Sequence, residues 1–152
     1  MKILMVCLGN ICRSPLAEGI MQSLINKKKL MWQVDSAGTS GWHEGNPPHR
    51  GSIMIAKKSE IDITQQRSRP FLKEDFERFD HILVMDSQNY QDVIKEAKTD
   101  QERSKVEIFL NYAHPNSNMG VPDPYYTGNF EEVYDLLFLA CQNFVDQHSN
   151  NL

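Results

Sequence analysis

The strongest constraint on the fold is a strand, a tight loop and a helix start that follow one another at the beginning of the chain. The apolar run Ile3–Val6 predicts a buried strand, and apolar residues recur at helical spacing after Pro15. Proline is pre-set for a first helical turn, and Ser14 before it is a residue type that caps helices. Gly9 and Asn10 readily take left-handed backbone conformations. We therefore expect a tightly curled loop between strand and helix.

The rest of the chain alternates between strand and helix patterns. Strands are expected over residues 33–37, 81–85 and 106–110, and helices over residues 15–28, 50–58, 73–79, 88–95 and 130–147. Alternation of this kind predicts parallel strands joined by right-handed crossovers. The expected fold is α/β, a doubly wound four-stranded parallel sheet with helices on both faces, and residues 1–152 are expected to form a single domain. Ligands of such sheets bind beyond the carboxyl ends of the strands, where the first loop lies.

Composition narrows the functional classes. The net charge is −4 without a basic stripe, so nucleic acid is not an expected partner. Apolar runs stay well below the ~18 residues that a bilayer requires, so no membrane partner is expected. The strand begins almost at the first residue, which leaves no room for a secretory signal, and three cysteines argue against a disulfide framework. A cytoplasmic location is the expectation.

The loop carries a thiol and a guanidinium. Cys7 ends the strand, and Arg13 lies where the loop closes onto the helix N-terminus, which is a ready anion site. Free N–H groups and Arg13 favour the thiolate form of Cys7 near neutral pH, and the planar guanidinium can hold two phosphoryl oxygens. The Ser14 hydroxyl can donate to the thiolate. The pattern predicts a phosphate-binding loop after strand 1 and phosphoryl transfer through a cysteinyl-phosphate.

A purely structural role for Cys7 is the alternative to the catalytic interpretation. A cysteine that ends a buried strand usually packs as a small hydrophobe, and Cys and Arg at this spacing recur by chance. The surrounding strand, curled loop and helix start favour the catalytic interpretation.

A second chemical element is the segment around Asp123, which two prolines enclose. A cysteine phosphatase needs an acid to protonate the leaving oxygen and then a base for the hydrolytic water. Asp123 fits that task, although an Asp-Pro turn that caps a helix is the alternative. Tyr125 and Tyr126 supply flat walls for an aromatic group, together with Trp42 and Leu8.

These residues resemble the low-molecular-weight protein tyrosine phosphatases, and the resemblance covers nearly the whole chain. The matching stretches are Val6–Glu18, Asp35–Thr39, Lys73–Phe76, Met85–Asp86 and Asp123–Tyr126. The resemblance implies a fold built on a four-stranded doubly wound sheet. It also implies an enzyme that hydrolyses phosphotyrosine in protein substrates without metal or cofactor, and that is a monomer or weak dimer.

The resemblance also implies roles for individual residues. It makes Cys7 the nucleophile, Arg13 the phosphate clamp and Asp123 the general acid. The residues implied to bind phosphate or substrate are Leu8, Gly9, Asn10, Ile11, Cys12, Ser14, Trp42, Tyr125 and Tyr126, and Ser36 is implied to support the loop. Cys12 is similar to a cysteine that traps oxidised Cys7 as a disulfide, and simple packing in the loop is an equal alternative. Cys141 is expected in the core.

One position departs from the family pattern. Gln66 stands where many relatives carry a histidine, so the hydrogen bonds behind the loop are expected to differ.

Three other functions remain open. A thiol-dependent arsenate reductase shares loop and fold but relays oxidation through cysteines after the third strand, and residues 87–105 contain none. The second is a non-catalytic phosphotyrosine-binding module. The third is a nucleotide-binding domain, which is disfavoured because the loop lacks a glycine-rich nucleotide-binding motif.

Overall fold

The computed structural model describes residues 1–149. The strands are β1 Lys2–Cys7, β2 Gln33–Gly38, β3 His81–Val84 and β4 Val106–Ile108. The helices are α1 Arg13–Lys27, α2 Arg50–Lys58, α3 Asp75–Arg78, α4 Ser87–Ile94, α5 Asp100–Ser104, α6 Pro124–Thr127 and α7 Phe130–Ser149, and a 3-10 helix covers Phe109–Tyr112. Within residues 1–149, no helix combines the length and apolar character that crossing a membrane requires.

The four strands form one parallel sheet in the order β2-β1-β3-β4. Cys7 pairs with Gly38 on one side, and Val6 pairs with Val84 on the other. The chain moves from β1 to one edge and then crosses to β3, so the strand order reverses beside β1. The loop after Cys7 therefore lies at the switch point of the sheet, where ligands of this fold class bind.

Helices cover both faces of the sheet, as the sequence predicts. On one face, Ile3, Met5 and Leu83 pack with buried residues of α1 and α7. On the other, Leu4 and Val84 pack with buried residues of α3 and α4. The central strands are apolar on both sides because neither side meets water. The doubly wound α/β prediction is confirmed.

Several predicted boundaries are wrong. Helix α1 begins at Arg13, so Ser14 lies inside the helix, and Cys12 occupies the cap position without a side-chain hydrogen bond. Strand β4 ends at Ile108, after which the chain turns into the 3-10 helix rather than extending to Leu110. Helices α5 and α6 are short, and no periodic apolar pattern predicted them.

Candidate active site

The loop after β1 curls around the sulfur of Cys7. The backbone N–H of Asn10 donates to Sγ over 3.3 Å, and the hydroxyl of Ser14 lies 3.1 Å from Sγ. Asn10 has a φ of 55°, the left-handed conformation that turns the chain back towards the sulfur. The first N–H groups of α1 follow directly, and no side chain caps them. The loop thus presents a thiol beside a helix N-terminus that favours anions.

The prediction that Gly9 takes a left-handed backbone conformation is wrong. Gly9 does not take a positive φ, and Asn10 alone makes the left-handed turn in this loop. The ring of His43 occupies the space beside Gly9, and a Cβ at Gly9 would lie 3.0 Å from Cδ2 of His43. A glycine at this position allows the His43 ring to approach the loop.

Polar side chains behind the loop hold Asn10 and Ser14 in place. The side-chain amide of Asn10 donates to Ser14 Oγ at 2.7 Å and to Ser36 Oγ at 2.9 Å, and its oxygen accepts from the N–H of Arg69 at 3.0 Å. Ser36 in turn donates to Glu18 Oε1 at 2.6 Å. The predicted support from Ser36 therefore reaches the loop through Asn10, and Glu18 adds a carboxyl that sequence reasoning did not single out.

Three further serines tie the loop backbone to neighbouring segments. Their hydroxyls donate to carbonyl oxygens at 3.0–3.1 Å, Ser40 to Leu8, Ser68 to Gly9 and Ser52 to Cys12. These contacts fix the carbonyls on the outer side of the loop. The sequence offered no signal for them, because each serine lies in or next to an ordinary loop or helix.

Arg13 is buried, with 3% of its side chain exposed, and is anchored on one side. Its Nη1 donates to Asp86 Oδ2 at 2.7 Å and to the carbonyl of Val121 at 3.0 Å, whereas Nη2 lies 3.4 Å from Asp123 Oδ2. Burial opposes the charge, but the nearby Cys7, Asp86 and Asp123 outweigh it and raise the pKa of Arg13 above its ordinary value. Arg13 is thus a fixed cation.

Asp86 is a site residue that the sequence indicated only in part. It caps α4, because Oδ1 accepts the N–H of Asn89 at 2.7 Å. Its other oxygen binds Arg13, which the sequence could not show because the two residues are 73 positions apart. A carboxylate directly after a central strand, beside the predicted site, was the available signal.

Asp123 combines the two interpretations made from sequence. Its Oδ1 accepts the N–H of Tyr125 at 3.1 Å and so caps α6, while Oδ2 faces Arg13. The helix cap is real, and it orients the carboxyl towards the thiol loop.

A cavity of about 190 Å³ opens over the loop. Its walls are Cys7, Leu8, Gly9, Ile11, Cys12, Arg13, Trp42, His43, Asp123, Tyr125 and Tyr126. Trp42 and Tyr126 are 75% and 76% exposed and form the rim. His43 was not predicted, and its ring centroid lies 6.4 Å from that of Tyr125.

The remaining cysteines differ in setting. Burial, with the nearby Cys7 and Asp123, raises the pKa of Cys12 to about 12, so Cys12 is held as a thiol. Cys141 is fully buried in α7, as predicted for a core residue. Within residues 1–149, no cluster of three His, Cys, Asp or Glu side chains is arranged to hold a metal ion.

Gln66, at the position where a histidine is the family pattern, contacts the first turn of α1 behind the loop. Its Nε2 donates to the carbonyl of Pro15 at 3.1 Å, and its buried Oε1 has no hydrogen-bond partner. Gln66 lines a second cavity, of about 310 Å³, together with Glu18, Glu60 and Asp62.

A thiol, an anchored guanidinium and a carboxyl around a small cavity, at the switch point of a parallel sheet, are typical of phosphatases that use cysteine and no metal. The comparisons with known proteins agree. The chain belongs to the low molecular weight phosphotyrosine protein phosphatase family, whose family model matches residues 2–151.

Similar proteins come from distant organisms. The chain is 41% identical to the low molecular weight protein-tyrosine-phosphatase YfkJ of Bacillus subtilis, over 95% of this chain and 93% of that protein. It is 37% identical to the human low molecular weight phosphotyrosine protein phosphatase, over 96% of this chain and 94% of that one. The crystal structure of YfkJ superposes with a TM-score of 0.94, covering 99% of this chain and 96% of that chain.

Proposed function

We propose that this protein hydrolyses phosphotyrosine in proteins, and small aryl phosphates, through a cysteinyl-phosphate on Cys7. The observation that carries the proposal is the shared cavity, in which Cys7, Arg13 and Asp123 face one another beneath an aromatic rim. Family membership supports the same reaction.

Substrate binding uses the free side of Arg13. Because Asp86 and Val121 hold Nη1, the Nη2 end faces the cavity, where its contact with Asp123 is long at 3.4 Å. A phosphate dianion can take this position and accept hydrogen bonds from Nη2 and from the loop N–H groups. The sulfur of Cys7 then lies beneath the phosphorus, in line with the departing oxygen.

In the first chemical step, the thiolate sulfur of Cys7 forms a bond to phosphorus while the bond from phosphorus to the phenolic oxygen breaks. Asp123, protonated, gives its proton to that oxygen, so tyrosine leaves as a neutral phenol. A bound dianion at Arg13 takes the position in which Asp123 otherwise meets the cation.

In the second step, water attacks phosphorus and the sulfur–phosphorus bond breaks. The Asp123 carboxylate takes the proton of the water, and the sulfur leaves as a thiolate. Ser14 accepts from Asn10, so its own hydrogen is free to donate to that sulfur at 3.1 Å. This hydrogen bond stabilises the leaving thiolate, and inorganic phosphate is released.

The aromatic rim supports an aryl ester as the substrate. Tyr125, Tyr126, Trp42 and Leu8 surround the mouth of the cavity, where a phenyl ring can stack while its phosphate reaches the loop. A phosphoserine lacks the ring that these aromatic walls can contact. We therefore expect phosphotyrosine to be preferred.

The test is turnover on a panel of phosphotyrosine peptides, phosphoserine peptides and p-nitrophenyl phosphate, with Cys7→Ser as the control. Hydrolysis of aryl phosphates that is lost in Cys7→Ser, with ester binding retained, is the expected result. Trapping of a phosphorus–sulfur adduct identifies the intermediate. Turnover that survives in Cys7→Ser would remove Cys7 from the mechanism.

The same assays decide between the alternative functions. Arsenate reduction with thioredoxin, measured beside nitrophenyl phosphate hydrolysis, tests for an arsenate reductase, and the buried Cys141 and the absence of cysteine from residues 87–105 disfavour it. Binding of phosphotyrosine peptide without any turnover would instead identify a non-catalytic module.

The setting of the reaction is part of the proposal. We propose that residues 1–152 form a single phosphatase domain that works in the cytoplasm as a monomer or weak dimer. Its partners are phosphotyrosine proteins rather than nucleic acid or membranes, in keeping with the net charge of −4, and it uses no metal or cofactor.

A further inference from the structure

Four titratable side chains meet in a cluster away from the candidate active site. Nδ1 of His81, the first residue of β3, lies 3.0 Å from Oε2 of Glu107 on β4. Tyr112 of the 3-10 helix donates to the other oxygen of Glu107 at 2.9 Å. Nε2 of His148, in the last turn of α7, lies 3.3 Å from the Tyr112 hydroxyl. We call these four residues, His81, Glu107, Tyr112 and His148, the latch cluster.

The hydrogens available in the latch cluster fix how it is bonded. Ionised Glu107 only accepts, so Tyr112 gives it the single hydroxyl hydrogen and His81 gives it Nδ1–H. The oxygen of Tyr112 is then an acceptor, so the hydrogen between Tyr112 and His148 is the one on Nε2 of the imidazole. Each imidazole therefore makes its hydrogen bond while neutral. An added proton binds the other nitrogen of the ring.

The two imidazoles of the latch cluster pack against each other. Their ring centroids are 4.7 Å apart, and the ring centroid of Phe144 lies 5.2 Å from that of His81 and 4.2 Å from that of His148. Phe144 is fully buried and the side chain of His81 is 22% exposed, so water screens the pair only in part. Two imidazolium charges in this position repel each other, and the single carboxylate of Glu107 offsets only one of them.

Other acids near the two imidazoles are engaged elsewhere. Asp146, on the same helix as His148, pairs with Lys28 after α1 at 3.1 Å. Asp80, next to His81 in the chain, accepts the backbone N–H of Lys2 at 2.7 Å. Glu107 is thus the carboxylate that supports a charge on the pair.

The titration of these groups agrees with the geometry. Burial opposes the charge of Glu107, but the hydrogen bonds from His81 and Tyr112 outweigh burial and lower the pKa of Glu107. Burial and the neighbouring His81 lower the pKa of His148 from its ordinary 6.5, against the attraction of Glu107. His148 therefore binds a proton less readily when the last turn of α7 is docked than when it is free. Docking is strongest above pH 6.5 and weakens as pH falls below it.

We propose that the latch cluster is a pH-sensitive latch on α7, which holds the last turn of the helix in place while at most one imidazole is charged and releases that turn when both are charged. The end of a helix is where such a release costs least, because terminal turns open with small free energies. The latch does not depend on the proposed reaction, since its residues lie outside the cavity over the thiol loop.

The experiment compares His81→Gln, His148→Gln and His114→Gln with the wild type. Glutamine keeps an N–H donor but cannot be charged in this pH range. His114→Gln is the matched control, because it removes an exposed imidazole from outside the latch cluster. The readouts are the imidazole titrations, followed by NMR, and hydrogen exchange of the last two turns of α7 between pH 5 and pH 7.5. Exchange is expressed as protection relative to an unstructured peptide, so that the intrinsic pH dependence of exchange cancels.

In the wild type, we expect the pair to bind its two protons in steps at least about one pKa unit apart. Protection of the last two turns of α7 should fall roughly three- to tenfold from pH 7.5 to pH 5, since each unit of pKa shift is a factor of ten in the opening equilibrium. His114→Gln should behave in the same way. In His81→Gln and His148→Gln protection should stay constant, because neither variant can carry both charges, and His148 in His81→Gln should titrate at higher pH than in the wild type.

A wild type whose protection stays constant while both imidazoles titrate would overturn the proposal. A wild-type fall in protection in either single variant would also overturn it, because release would not require both charges. Where a glutamine loosens the turn at every pH, the titration of His148 in His81→Gln decides the matter. An unchanged titration would show that the two rings do not interact and would refute the latch, whereas a shift to higher pH would support it.

Discussion

Glu18 is predicted to make the protein less stable at alkaline pH, and Glu18→Gln should remove most of that loss. Burial raises the pKa of this carboxyl from its ordinary 4.5 to about 7 in the folded state. The folded protein therefore holds the proton more tightly than the unfolded chain. Stability from this group is fully present below pH 4.5 and is lost as pH rises through 7.

The magnitude follows from the two pKa values. At about 1.4 kcal/mol per pKa unit, the change from 4.5 to about 7 corresponds to about 3 kcal/mol of lost folding free energy above pH 7. Partial exposure to solvent, and the ionisation already begun at pH 5, reduce the part that is measurable between pH 5 and pH 8.5 to about 2 kcal/mol. A glutamine has the same shape and cannot ionise.

The assay is urea unfolding at pH 5 and pH 8.5, followed by tryptophan fluorescence. Trp32 is 6% exposed and packs edge-on against Phe144, so its emission reports on core opening. The loss of unfolding free energy between the two pH values should be about 2 kcal/mol larger in the wild type than in Glu18→Gln. Glu60→Gln should show the wild-type loss.

An equal pH dependence in the wild type and Glu18→Gln would refute the reasoning, because it would mean that the folded state does not perturb this carboxyl. Glu18→Gln is expected to be more stable than the wild type at pH 8.5.

Three further outcomes follow from the structure. Asp123→Asn should slow phosphotyrosine hydrolysis by roughly 10²–10⁴-fold and nitrophenyl phosphate hydrolysis much less, because a good leaving group needs no proton; equal slowing of both esters would make Asp123 structural. Arg13→Lys keeps the charge but loses the planar fork, and kcat/KM should fall by roughly 10²–10³-fold, whereas near-normal turnover would show that charge alone suffices. Gly19→Ala places a Cβ 2.4 Å from Cγ2 of Ile63, so the free energy of unfolding measured in urea should fall by about 1–3 kcal/mol. An unchanged free energy of unfolding would show that α1 and the segment around Ile63 can move apart without cost.

Sequence reasoning predicts the central part of the site well because its determinants are local. A buried strand, a left-handed residue and a helix start fall within the first loop, and Asn10 does adopt a φ of 55°. The chemistry of the loop requires an acid, and this requirement predicts that Asp123 lies at the site. In the structure these residues, 110 positions apart, lie 3.4 Å from each other.

What the sequence could not give depends on tertiary contact. The hydrogen bond between Ser36 and Glu18 joins β2 to α1, and no spacing rule relates the two residues. Residue propensity predicts a left-handed turn at Gly9, whereas the structure shows that the neighbouring His43 leaves no space for a side chain there. Helix α5, in contrast, begins with a local signal. Thr99 caps it by accepting the N–H of Glu102 at 3.1 Å. That Thr-x-x-Glu pattern is a helix signal readable in the sequence.

Two carboxylates contact the same arginine, and their surroundings assign them different tasks. Both oxygens of Asp86 accept short hydrogen bonds, one of 2.7 Å from Arg13 and one of 2.7 Å from the N–H of Asn89. Asp86 is therefore suited to hold the guanidinium in place. Asp123 meets Arg13 only at 3.4 Å and lines the cavity. A dianion at the arginine would displace this longer contact before the shorter ones, which leaves Asp123 as the carboxyl available for the proposed proton transfer.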